Sequence, residues 1–222
     1  MSAAAPPFWM SQAVTFLSAM ALVSAFGILS LRTLPLCIRA YAVQSLVLGL
    51  AAFLLAIHPV RAHVLGIAAV AILVKGLAIP WFLFKIIEDV SIKRETEPFV
   101  SYPFSMLGGV GLTLLSYAVM EPLSGSDPFA ARGFALALTL MQLGLWLMVG
   151  RKKAVTQVVG LLVVENGLFV AALSVSFGMP MIVELGLIFD LLVAVVVMGL
   201  LVFRIQSTYA SINTERLSRL KG

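Results

Sequence analysis

Three residues of this chain carry the potential for chemistry. Glu165 and Asp190 each interrupt a stretch of about 20 apolar residues, the length of a membrane-spanning helix, and Lys75 interrupts a third. A charge at mid-bilayer costs at least a few kcal/mol, and such residues mark proton relays, ion paths or ligand counter-ions. Burial disfavours the charged form of any ionisable group, so carboxylates and a lysine held there can exchange protons, as a proton path requires. The plainer alternative is an inter-helix salt bridge that only locks a bundle, and a buried pair is weak evidence of stability. Gln44, Tyr41, Asn166, Gln157 and Gln142 supply polar groups able to hold waters between titratable ones. Taken singly, each is more simply explained by helix packing.

The elements that must position these residues follow from composition. The 222 residues are 61% hydrophobic and 11% charged, with mean hydropathy +1.09. Soluble domains carry about 25% charged residues. In hydrocarbon only helices and closed barrels satisfy their backbone groups, and a barrel would show shorter, alternating segments. The fold class is therefore an all-α integral membrane protein. The pattern predicts seven spans, near residues 8–30, 38–57, 63–84, 100–120, 129–149, 154–177 and 181–203. A charged loop, KIIEDVSIKRETEP, follows the third span, and a polar tail, RIQSTYASINTERLSRLKG, ends the chain. The start, MSAAAPPFWM, lacks the basic region of a signal peptide, so the first helix is expected to be retained.

Basic residues set the orientation. With seven spans, twelve lysines and arginines fall on one side, and only Arg61 and Arg132 on the other. The N-terminus is then outside and the C-terminus cytoplasmic, in a cell (inner) membrane. The net charge of +5 reflects this basic rim rather than a nucleic-acid surface. At 1.5 Å per residue, Glu165 lies roughly 18 Å beyond Lys153, Lys75 roughly 18 Å beyond His63, and Asp190 roughly 14 Å beyond Met181. All three reach the middle of a ~30 Å core. Glu184 starts close enough to the span's end to sit at the interface.

Other chemistry is not indicated. Cys37 is the lone cysteine and no metal-ligand spacing occurs; no glycine-rich nucleotide loop follows a strand. The chain is expected to hold no metal or cofactor and no catalytic residue of its own. Pro80 follows Lys75 by five positions, which removes a backbone bond near Gly76 and favours a kink or a trapped water there. Gly160, Gly167, Gly178 and Gly186 thin the last two helices for close approach. A weak internal repeat aligns QSLVLGLAAFL with ENGLFVAALSV, setting Gln44 opposite Glu165 and Lys75 roughly opposite Asp190. The halves are residues 1–90 and 129–204, joined by a linking helix within 91–128 and followed by a tail at 205–222.

VVENGLFVAAL, VELGLIFDLLVAVVVMGLLVFRI and the tail INTERLSRLKG, together with AYAVQSLVLG and the Lys75-to-Pro80 stretch, resemble the hydrogenase-4 membrane component E family. The resemblance covers nearly the whole chain. It implies a membrane-arm subunit of an energy-converting hydrogenase, as in formate hydrogenlyase-type complexes. The last three helices are similar to the small complex I subunit K, with its two intramembrane glutamates. Glu165 matches the first acid and Asp190, shorter by one methylene, the second. In the first half Gln44 and Lys75 stand where acids would be, so Lys75 is either a third relay or a fixed charge tuning a neighbour.

The resulting expectation is a subunit coupling electron transfer in a peripheral hydrogenase-like arm to proton translocation, through Glu165, Asp190 and Lys75. The resemblance implies antiporter-like membrane subunits, a protein like the H-subunit of complex I, and the peripheral arm as partners. Fe–S clusters, with or without a nickel–iron site, would belong to those partners. A scaffold between pumping subunits, or a subunit of a multi-subunit Na⁺/H⁺ antiporter, are the alternatives.

Overall fold

The computed structural model describes residues 8–57, 65–66, 68–69, 71–90, 99–124 and 128–175, all within one compact unit, Met1–Gly186. Asp190, Glu184, Gly178, Gly186, the seventh predicted span and the polar tail lie outside the described residues.

Every regular element among the described residues is helical. Helix α1 spans Phe8–Ser30 and α2 spans Leu34–Ile57. Pro35 sits in the first turn of α2, where its missing N–H would have had no intrahelical partner. Next comes a π-helical segment, Ala71–Ala78, continued without a break by α3, Ile79–Val90. Then follow α4 (Tyr102–Met120), a 3₁₀ turn (Glu121–Ser124), α5 (Pro128–Gly150) and α6 (Ala154–Val175). Five helices (α1, α2, α4, α5 and α6) are long and apolar enough to cross a membrane.

The third predicted span differs most from a plain helix. Pro80 has no N–H to offer the carbonyl of Gly76, and the wider i→i+5 pairing occupies the eight residues up to Ala78. Such segments are rare. Beyond it the helix continues through KIIEDV, which the sequence pattern placed in a loop. The reason is one-sided burial: Leu83 and Ile87, one turn apart, are both buried, while the Lys85 ammonium lies 5.8 Å from the ring of Trp81 on an exposed face.

Glycine sets the tightest packing. Helices α5 and α6 run antiparallel and form the most extensive pairing. A methyl at Gly144 would stand 2.6 Å from the backbone oxygen of Gly160, and one at Gly160 would stand 2.8 Å from that of Gly144. At Gly167 it would meet the Ala137 oxygen at 2.8 Å. Gly160 and Gly167, expected to thin the last two helices, thus serve the contact with α5. Helix α2 touches α1, the π segment, α3 and α6. Its crossing with the π segment is interlocked: Ile72 sits over Gly49 and Leu46 over Gly76, at 2.5 and 2.6 Å from where a Cβ would be.

Several of the basic residues that can be placed gather at one end. Arg151 reaches Leu29 at the end of α1, Arg32 lies over Tyr102 at the start of α4, and Arg39 lies over Phe84 of α3. Arg132 is near the start of α5, at the other end.

Because the atom opposite Gly144 is backbone and cannot rotate away, Gly144→Ala is expected to destabilise the fold by ~1–3 kcal/mol, the usual range for overpacking. The measurement is the unfolding midpoint in mild detergent. Gly111→Ala, whose methyl meets nothing within 4 Å, should leave that midpoint in place.

Candidate functional site

Two of the three predicted charges come together. The Lys75 Nζ lies 3.3 Å from Glu165 Oε1, with the side chains 4% and 2% exposed. Lys75 projects from the π segment and Glu165 from the middle of α6, the twelfth of its 22 residues. The ammonium also lies 5.3 Å from the centroid of the Phe169 ring. Phe169 is one helical turn beyond Glu165, so one face of α6 offers a carboxylate and an aromatic ring to the same cation.

The energetics are finely balanced. At 3.3 Å and an effective dielectric of about 20, the attraction is about 5 kcal/mol. Removing two ions from water costs several kcal/mol each. The pair is therefore no net source of stability, but each partner is indispensable to the other.

A polar layer stands beside it on α2 and α6. Asn166 Nδ2 donates to Gln44 Oε1 and to Ser45 Oγ, both at 3.1 Å. Gln44 Nε2 in turn donates to the carbonyl of Ala21 on α1, also at 3.1 Å. Gln44 is the eleventh of the 24 residues of α2, again mid-helix. Tyr41, fully buried, lies on the same face of α2 as Gln44 and Ser45 by helical spacing. The expected support residues Gln44 and Asn166 are thus joined directly, side chain to side chain.

Gln157 and Gln142 are not part of this layer. Gln157 Nε2 donates to the Arg151 carbonyl at 3.1 Å, near the basic end. Gln142 Oε1 accepts from Ser116 Oγ at 3.0 Å, joining α5 to α4. Asp190 lies outside the described residues. Sequence reasoning did not single out Ser45 or Phe169; adjacency to Gln44 and the four-residue spacing from Glu165 were the available signals. Among the described residues no cluster of metal-ligating side chains occurs.

A cavity of about 330 Å³ opens among α1, α2, α4, α5 and α6. Arg132, Ser18 and Ser174 line it toward the end opposite the basic one, and Leu22, Leu48 and Val170 line its inner part. Leu48 is one turn from Gln44, and Leu22 adjoins Ala21, so the cavity ends close to the polar layer.

Removing one partner of the ion pair leaves the other charge stranded. Lys75→Met and Glu165→Leu should each destabilise the fold by ~3–5 kcal/mol. The double variant should recover most of that loss. Additive losses in a double-mutant cycle of detergent unfolding would show that the two groups are not coupled.

Comparison with known proteins places the chain among others. It is 32% identical over 158 residues to the uncharacterized protein Rv0085 of Mycobacterium tuberculosis, covering 70% of this chain and 71% of that protein. It is 25% identical over 217 residues to hydrogenase-4 component E of Escherichia coli K12, covering 96% of this chain and 99% of that protein, and the Shigella flexneri protein of the same name matches equally. No protein-family model matches, and no solved structure matches. The chain, a multi-pass helical membrane protein, therefore belongs to one family with the mycobacterial protein Rv0085 and is distantly similar, over nearly its full length, to hydrogenase-4 component E.

Proposed function

We propose that this chain is a membrane-arm subunit of a hydrogenase-like, complex I-related respiratory complex, and that Lys75 and Glu165 handle protons in it. The observation that carries the reading is the buried contact of 3.3 Å between Lys75 Nζ and Glu165 Oε1 at mid-helix. The full-length similarity to a hydrogenase-4 component supports the setting.

In this reading the pair is a proton-sensitive latch. A proton arriving on the Glu165 carboxylate cancels its charge and with it the attraction for the Lys75 ammonium. The Phe169 ring then remains as the cation's neighbour, a hold of about 0.5–2 kcal/mol. Loss of the proton restores the pair. The Asn166–Gln44–Ser45 layer fixes the helix faces between which this happens, and the cavity reaching inward from Arg132 is the approach for water. Asp190 would continue the path. The chain would bind no cofactor; Fe–S clusters, with or without a nickel–iron site, would sit in a peripheral arm. The membrane partners would be antiporter-like subunits and a protein like the H-subunit of complex I, in a prokaryotic inner membrane with the N-terminus outside.

A scaffold reading is favoured by the same pair, since an ion pair also locks helices. Glu165→Gln in the intact complex, reconstituted in vesicles, separates the two. The proposal expects an assembled complex with electron-transfer turnover but proton movement per turnover lowered at least several-fold. A complex that fails to assemble supports the scaffold. Unchanged pumping at unchanged turnover sinks the relay.

A further inference from the structure

Arg151 is among the largest fully buried side chains, at 2% exposed. Its Nη2 donates to the Leu29 carbonyl at 2.6 Å, in the last turn of α1. Its guanidinium lies 4.3 Å from the ring centroid of Tyr102, and the exposed Arg32 lies 5.1 Å from the same ring. Among the described residues no carboxylate pairs with either arginine. Among the described residues Arg151 Nη1 is buried without a hydrogen-bond partner, as is the Tyr102 hydroxyl; so is Thr33 Oγ1, in the turn that carries Arg32. A buried cation without a counter-charge is expensive, and buried polar groups are almost always partnered.

Tyr102, the ring between the two arginines, stands in the first turn of α4. Ser101, at the N-cap, makes no side-chain capping bond, and Pro103 offers no N–H. The positive end of that helix is therefore left uncompensated beside two guanidinium groups. Arg151 Nη1 and the Tyr102 hydroxyl, on the residues joined by the ring contact, can both donate a hydrogen bond, so the missing partner is an anion with more than one acceptor oxygen. Arginine favours phosphate through paired N–H donors.

The setting selects the source. The cluster lies where α1 and α5 end and α4 begins, the depth at which lipid headgroups sit. From it the outer face of α4 runs along the bundle with Phe104, Leu107 and Leu114 each more than half exposed. We propose that Arg151, Arg32, Tyr102 and the first turn of α4 hold the phosphate of an anionic phospholipid, whose chains lie along that face.

The test uses the purified full chain in mild detergent, with phosphatidylglycerol, phosphatidylcholine and inorganic phosphate as separate probes. Native mass spectrometry reads retained lipid, and thermal unfolding reads stabilisation. Wild type should retain phosphatidylglycerol in preference to phosphatidylcholine and be stabilised by it. Arg32→Gln, an exposed position that leaves the packing intact, should weaken retention roughly fivefold, the usual effect of one interfacial basic residue. Arg151→Gln should abolish it; if that variant fails to fold, Arg151→Lys should retain less than wild type. Equal retention by wild type and Arg32→Gln, or no preference over phosphatidylcholine, overturns the proposal. Stabilisation by inorganic phosphate alone to the same extent reassigns the site to a free anion. A carboxylate from a neighbouring protein seated on Arg151 in the assembled complex also overturns it.

Discussion

A charge inside a membrane bundle must find its counter-charge in the protein, and the contact between Lys75 and Glu165 meets that demand. Much of the surrounding architecture serves it. Lys75 comes from a segment without an extensive face against α6, and its side chain spans the space between them. The π segment, the interlock of Ile72 over Gly49 and of Leu46 over Gly76, and the placement of Glu165 at mid-helix together bring the two within 3.3 Å. Helix α2, central among the described elements, holds both sides in register, through glycine on one face and through Gln44 and Ser45 on another.

The chain handles its two buried cations differently. Lys75 faces a carboxylate and an aromatic ring. Arg151 faces an aromatic ring and the carbonyl end of a helix, with no carboxylate among the described residues. The first arrangement sets a full negative charge against the cation. The second offers its cation only a carbonyl oxygen and a ring face. Midplane and rim thus accommodate a buried cation in two different ways.

The parts legible in the sequence were those set by strong one-dimensional signals. Long apolar runs fixed the existence and bounds of α1, α4, α5 and α6 to within a few residues. Single charges within such runs marked Lys75 and Glu165 as mid-depth. Pro80 marked the irregularity near Gly76. What could not be read was who meets whom. The internal repeat set Lys75 roughly opposite Asp190, while the actual partner of Lys75 among the described residues is Glu165. A repeat encodes equivalence of position, not contact, and contact depends on how the helices are laid side by side. Gln157 and Gln142 looked like support for the charges for the same reason; helical phase and distance along the axis turn them to Arg151 and Ser116 instead. Arg151 looked like one more rim charge, because nothing local in RKK tells that a tyrosine and a helix end will close over it.

The glycine contact between α5 and α6 has a mechanical consequence. At Gly144, Gly160 and Gly167 backbone approaches backbone, with Val164, Met148 and Met141 packed at the edges of the seam, so the two helices form one closely joined rod. Glu165 stands partway along that rod and Arg151 sits at its bend. Backbone atoms in that contact cannot rotate away, so a displacement of one helix carries its neighbour with it. The rod joins two sites: its midpoint carries the carboxylate that faces Lys75, and its elbow grips the ends of two other helices.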